Sequence, residues 1–250
     1  MISNKYISHI ELKRDMISSL DEYPFCLNAV KHLEKLELHP SVTFLVGENG
    51  TGKSTLLEAI AVAWGFNPEG GSKNFHFDTR TSHSMLHKYI RLVKGVKRPQ
   101  DGYFLRAESF FNVATDIEKM DALSEGLGRP IADSYGNRSL HEQSHGESFL
   151  SLFTERFSGN GLYILDEPEA ALSPSRQMAV LSRIHDLAKR KSQFIIATHS
   201  PIIMAYPNST IYQLSDTGMD VVEYTETENY TVAKEFLANH NRMLDILLEE

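Results

Sequence analysis

Residues 42–55 read Val42-Thr43-Phe44-Leu45-Val46-Gly47-Glu48-Asn49-Gly50-Thr51-Gly52-Lys53-Ser54-Thr55. The apolar run predicts a β-strand, and the glycine-rich turn after it opens into a predicted helix from Lys53 to about Trp64. The turn has the form G-x-x-x-x-G-K-[ST] with every fixed position filled. Between a strand and a helix, such a turn aims backbone N–H groups and the positive end of the helix at one point, where a triphosphate can sit. Gly47, Gly50 and Gly52 leave the backbone free to wrap phosphates closely, and Glu48, Asn49, Thr51 and Thr55 complete the loop. Lys53 is expected to reach the β- and γ-phosphates, and the Ser54 hydroxyl to ligate Mg²⁺.

Two further apolar runs end in polar side chains. Leu162-Tyr163-Ile164-Leu165 leads into Asp166-Glu167-Pro168. Side chains alternate across a strand, so the two carboxylates leave it in different directions. Asp166 suits Mg²⁺ held through water, and Glu167 suits polarisation of a water that attacks the γ-phosphate. Phe194-Ile195-Ile196-Ala197 leads into Thr198-His199-Ser200-Pro201. At the end of a central strand, His199 is placed to hydrogen-bond a γ-phosphate and to orient Glu167 with its water. A fourth piece, Gln143-Ser144-His145-Gly146-Glu147-Ser148, precedes a predicted helix over Glu147 to Phe157. It reads equally well as a second anion-binding helix start and as a plain cap with Ser144 and Glu147 in capping-box spacing.

A chain of 250 residues, 41% hydrophobic and 23% charged, is of ordinary globular composition. Its 33 acids against 25 Lys and Arg give a net charge of −8, which excludes an overall basic surface but not a local patch. One cysteine, Cys26, permits neither an internal disulfide nor a thiolate metal cluster. No signal-like apolar core opens the chain, and no stretch approaches the ~18 apolar residues of a membrane span, so a cytoplasmic location is expected.

Apolar strands alternating with helices, the last from about Ser175 to Lys189, predict an α/β fold with a mainly parallel sheet covered on both faces. Alternation over Tyr6 to Leu12 suggests an early strand, with a second element over Leu33 to Leu38. Residues 74–145 are expected to form a small, partly helical insert in a single domain over 1–250. Within it, helix-like stretches Ser84 to Val93 and Val113 to Leu127 flank a short strand, Tyr103 to Leu105. Val232 to Leu248 carries apolar residues in a pattern of one or two amphipathic helices, with packing on the sheet as the expectation.

In this order, GENGTGKST, SHGES, LYILDEPEAALS and ATHS resemble the motifs of the ATP-binding-cassette (ABC-type) ATPases. The resemblance is to the small stand-alone AAA/ABC ATPases related to the SMC and DNA-repair branch. It implies ATP and Mg²⁺ as ligands and hydrolysis to ADP and phosphate. It also implies a head-to-tail homodimer in which Ser144 and Gly146 of one copy face nucleotide held by Lys53 and Ser54 of the other, with Glu169 to Ser173 crossing the seam. The signature departs from Ser-Gly-Gly-Gln at His145 and Glu147, and Ser173 replaces a common aspartate. No glutamine follows the Tyr103 to Leu105 strand; Arg106, Glu108 or Ser109 stands there instead, with Glu108 expected nearest Mg²⁺ and the attacking water. An aromatic stacking on adenine is expected, with Tyr23 and Phe25 as candidates. Unlike SMC proteins, the chain has no long coiled coil between Lys53 and Ser144.

The residues leave the process open. A nucleic-acid-associated ATPase in repair or defence and the energising subunit of a membrane transport complex both fit these motifs, while a P-loop kinase fits the Asp-Glu-Pro strand, the His199 strand and the signature least. Lys88, Arg91, Lys94, Lys97, Arg98 and Arg106 form a basic stretch that suits nucleic acid, an acidic protein partner, or simple solvation. His76, His83, His87 and Asp78 have a weaker metal-like spacing.

Overall fold

The structure, a computed structural model, describes residues 5–73, 84–110, 115, 121 and 145–248. Its centre is a six-stranded sheet. In chain order the strands are β3 (Val42–Gly47), β5 (Asp101–Arg106), β6 (Gly161–Asp166), β7 (Gln193–Ala197), β8 (Ser209–Ser215) and β9 (Gly218–Val222). In space they run β5-β6-β7-β3-β8-β9. Five are parallel, and β9 closes the edge antiparallel to β8. The phosphate-loop strand is therefore central, with Thr43 opposite Ile195 on one side and Thr210 on the other.

Alternation along each strand divides the core in two. Tyr163 and Leu165 of β6 face a layer built from Phe149, Phe153 and Phe157 and from Val180, Ile184 and Leu187. The first three come from α4 (His145–Ser151) and the wide helical turn after it, the others from α5 (Pro174–Lys189). Leu162 and Ile164 face the opposite way, onto Leu56, Leu57 and Ile60 of α2 (Lys53–Trp64), the helix that follows the single turn α1 (Asn28–Lys31). Both faces of the sheet are covered, which explains why its strands read as continuous apolar runs.

A second, antiparallel sheet joins β2 (Lys35–Glu37), β1 (Ile7–Leu12) and β4 (Ile90–Lys94) in the order β2-β1-β4. Gln193, fully buried, ties the two sheets: its Oε1 accepts from Tyr6 N and Ile7 N, and its Nε2 donates to the Ile7 and His39 carbonyls. Such an amide satisfies backbone groups that the sheet packing takes out of water.

Three expectations change. The helix over 84–93 is one turn, α3 (Leu86–Tyr89), followed by β4, because Ile90 and Leu92 pair against β1 instead of continuing a helical face. Hence 90–94 and 101–106 belong to the two sheets and not to an insert; most of the remaining 74–145 span, including the stretch 113–127 except positions 115 and 121, lies outside the described residues. At the C-terminus, α6 (Glu228–Ala238) and α7 (His240–Leu248) do form, but neither buries a residue on the sheet. Both sheet faces are already filled.

Candidate functional site

The phosphate loop follows the C-terminal end of β3, and the ends of β6 and β7 lie beside it, as expected for a ligand site in an open α/β sheet. Gly47, Gly50 and Gly52 have φ of 141°, 84° and 96°, a region that disfavours any side chain. At Gly47 a Cβ would also stand 2.5 Å from the Leu214 carbonyl oxygen. A shallow cavity of about 190 Å³ is lined by Asn49, Gly50, Gly52, Lys53, Ser54 and Thr55, joined by Leu27 and Glu167. Lys53 is buried, with Nζ donating to the Gly47 and Glu48 carbonyls at 2.8 and 2.6 Å. Burial lowers its pKa, opposed by Glu167, Asp166, Glu169 and Glu48. Thr51 Oγ1 closes the loop on the Glu48 carbonyl at 2.9 Å.

Ser54 Oγ donates to Asp166 Oδ1 at 3.0 Å, joining the start of α2 to the end of β6. Burial pushes the Asp166 carboxyl up to about 6, against the Ser54 hydrogen bond and Arg106; Glu167 and Glu108 push the same way as burial. A hydroxyl and a carboxylate are hard oxygen donors of the kind Mg²⁺ takes, and a divalent cation would offset the crowding of acids. The residues present fit that ion.

Glu167 sits at φ 50°, left-handed for a side-chain-bearing residue, with its N–H donating to the Ala197 carbonyl at 2.9 Å. A conformation of this kind costs about 1–3 kcal/mol and gathers at functional sites. It turns the carboxylate out of the strand toward His199, whose Nε2 lies 3.8 Å from Glu167 Oε1, beyond hydrogen-bond reach. That Nε2 is buried and has no hydrogen-bond partner among the described residues.

His199 is held by its backbone. Glu169 Oε1 accepts from His199 N at 2.6 Å and from Ser200 N at 3.1 Å. Asn229 Nδ2 donates to the His199 carbonyl at 3.0 Å, and Ser200 Oγ donates to Gln177 Oε1 at 2.6 Å. Glu169 was placed by sequence on a dimer seam; within the chain it ties the residues after β6 to those after β7. Asn229 belongs to no motif, and only the fold brings it to the site.

Gly146 lies in α4 and is buried; a Cβ there would collide with the Arg176 guanidinium and meet the Ala171 carbonyl at 2.8 Å. It is thereby seated against the segment after Glu169. Ser144 lies outside the described residues. Glu108, just past β5, is exposed and pairs with Arg106 at 3.5 Å; it is close enough to act on Asp166 but touches neither Asp166 nor Ser54. The two adenine candidates differ in placement. Phe25 is spent on the core, edge-on to Tyr89 with centroids 4.8 Å apart, and Tyr23, though exposed, lines neither cavity at the loop. Among the described residues no cluster of three metal-ligating side chains occurs; His76, Asp78 and His83 lie outside them. No helix of the described residues is long and apolar enough to cross a membrane.

A family model described as "AAA domain, putative AbiEii toxin, Type IV TA system" matches residues 96–205, under half of the chain. An uncharacterised ABC transporter ATP-binding protein of Haemophilus influenzae is 27% identical over 201 residues, covering 74% of each chain. The energy-coupling factor transporter ATP-binding protein EcfA1 of Fusobacterium nucleatum is 28% identical over 166 residues, 62% of each. Across the curated relatives matched, the chain spans from 24% to 74% of their own lengths. Among solved structures, an SMC head bound to the C-winged helix domain of ScpA is similar at TM-score 0.47 and 16% identity, over 87% of this chain and 97% of that one. The order of the motifs, their meeting at one end of a parallel sheet, and the likeness to ABC transporter ATP-binding proteins make the chain similar to the ABC-type ATPases of the P-loop class.

Proposed function

We propose that the chain is one domain that binds ATP with Mg²⁺ and hydrolyses it to ADP and phosphate. The observation that carries this reading is the meeting of Lys53, the Ser54 to Asp166 hydrogen bond and the Glu167 to His199 pair at the ends of three adjacent strands. Lys53 and the loop N–H groups bind the β- and γ-phosphates, and Ser54 and Asp166 hold the cation. When bound, Mg²⁺ supplies charge neutralisation at the phosphates. Glu167 takes a proton from water as the water oxygen bonds to the γ-phosphorus and the bond to the β-bridging oxygen breaks. His199 contacts the γ-phosphate and fixes the Glu167 geometry. Positioning and charge carry most of the effect.

The active form is a head-to-tail homodimer in which the Ser144 to Gly146 segment of one copy faces the other's phosphate loop. Light scattering on Glu167→Gln tests this. ATP with Mg²⁺ is expected to double the apparent mass, and Lys53→Ala to abolish the change; a monomer carrying tightly bound ATP would contradict it. Nucleic-acid maintenance or defence is the process favoured by the motif resemblance. The names of two relatives favour a second reading, the energising subunit of a transport complex. Stimulation of hydrolysis by nucleic acid, or co-purification with a membrane protein, separates the two.

A further inference from the structure

The basic stretch noted in the sequence is not uniform in the structure. Arg91 pairs with Glu11 at 2.8 Å and Arg106 with Glu58 at 2.7 Å. Lys94 and Arg98 have no carboxylate partner among the described residues. They converge with Lys73 on a cavity of about 580 Å³ at the start of β5, the end of the sheet opposite the phosphate loop. The Lys73 and Lys94 ammonium groups stand 4.7 and 4.6 Å from the centroid of the same indole, Trp64 at the end of α2. An indole face draws cations and holds them in place. The like charges remain in conflict: burial lowers the Lys73 pKa, and Lys94 and Arg98 lower it further.

The walls are built. Gly71 and Phe104 exchange both backbone hydrogen bonds, at 2.8 and 3.0 Å, which fixes the segment carrying Lys73 against β5. On the other side Asp101, the one acid in the lining, is fully engaged. It accepts from Arg156 at 2.8 Å, from Tyr163 at 2.7 Å and from Ser158, so it adds no net charge with its arginine. A second cavity of about 240 Å³, lined by Lys97, Arg98 and Lys191, shares Arg98 and Gln100 with the first. The positive lining therefore continues beyond the reach of a single anion.

We propose that this cavity binds a chain of linked phosphate groups through Lys73, Lys94 and Arg98, with Gln100 lining both this cavity and the second. Closely spaced, permanently charged oxyanions match three converging cations, and an extended ligand matches two neighbouring cavities that share Arg98 and Gln100 in a chain of net charge −8. A nucleic-acid strand and a free polyphosphate both carry this chemistry. The inference stands apart from the ATPase reading, since the site is remote from the phosphate loop and its test uses no ATP.

Fluorescence anisotropy with a labelled oligothymidine of about 20 nucleotides at about 50 mM salt, alongside calorimetry with tripolyphosphate, tests it. Lys73→Gln/Lys94→Gln/Arg98→Gln is expected to weaken binding at least ~10-fold, with a logarithmic salt slope near −2 for the native chain, about −0.7 per phosphate neutralised. All three side chains are exposed, so an unchanged melting temperature is expected. Removing the same charge at Lys189, Lys234 and Arg242 should change affinity less than ~2-fold. Binding of the oligonucleotide, displaced by tripolyphosphate, identifies a nucleic-acid strand; binding of tripolyphosphate alone that persists in Lys53→Ala and is lost in the triple variant identifies a free polyphosphate, whereas tripolyphosphate binding lost only in Lys53→Ala belongs to the phosphate loop and would overturn the proposal. Binding of neither, equal loss in both triple variants, or equal competition by polyglutamate would overturn the proposal.

Discussion

Glu169 shows how a residue outside the reacting groups can control them. One carboxylate oxygen accepts both His199 N and Ser200 N, fixing where the His199 side chain starts from. In Glu169→Gln the amide oxygen can still accept both, so kcat should stay within ~3-fold of native, whereas Glu169→Ala should lose about 10-fold or more through misplacement of His199. Steady-state phosphate release measures both, and equal losses in the two variants would mean that the negative charge itself is needed. Gly47 makes a steric demand: its φ of 141° and the Leu214 carbonyl leave no room for a methyl group. Gly47→Ala is expected to destabilise the fold by about 1–3 kcal/mol in chemical denaturation. At this scale the sequence was most legible where a motif fixes residue type and spacing together, as in Gly47 to Thr55. It was least legible for Asn229 and Leu27, which reach the site only through folding, and for Phe25, whose ring the core consumes.

The strands that reveal themselves in sequence are those buried on both faces. Val42–Gly47, Gly161–Asp166 and Gln193–Ala197 are buried at every position and read as apolar runs, interrupted only by Thr43 and by Asp166 and Gln193 at their ends. Ser209–Ser215 and Gly218–Val222, at the sheet's far edge, mix polar and apolar residues and give no such signal. β4 was mistaken for helix because Tyr89, Ile90, Leu92 and Val93 also fit a helical stripe over so short a window. At the start of β5, Asp101 anchors the strand to Arg156 and Tyr163. Burial, the largest single influence, would raise its pKa, but Arg156, Tyr163 and Ser158 together outweigh it and hold the carboxyl below its ordinary value of 3.8. The unfolded chain then takes up this proton more readily than the folded one. The contribution is fully present above the ordinary carboxylate range and is lost as pH falls below it toward the folded value. Asp101→Asn should cost about 3 kcal/mol at neutral pH by denaturant titration, with a smaller difference from native in acid. Deleting α7, which buries no residue, should cost no more than about 1 kcal/mol.

At the scale of the molecule, the parallel sheet gathers the C-terminal ends of β3, β6 and β7 at one end and leaves the basic cavity at the other. That polarity was implicit in alternating strands and helices, but which strand end neighbours which required the crossover order β5-β6-β7-β3-β8-β9. The C-terminal helices escaped the expected packing because no sheet face was left for them. They rise instead beside the phosphate loop and His199, framing a cavity of about 950 Å³ with Val232, Phe236 and Leu247. The central claim is that the end carrying Lys53, Asp166, Glu167 and His199 hydrolyses ATP with Glu167 as base. Single-turnover phosphate release from Glu167→Gln with ATP and Mg²⁺ tests it most directly. The account predicts retained ATP binding with release slowed at least ~100-fold relative to native; release at the native rate from a variant that binds ATP normally would contradict it.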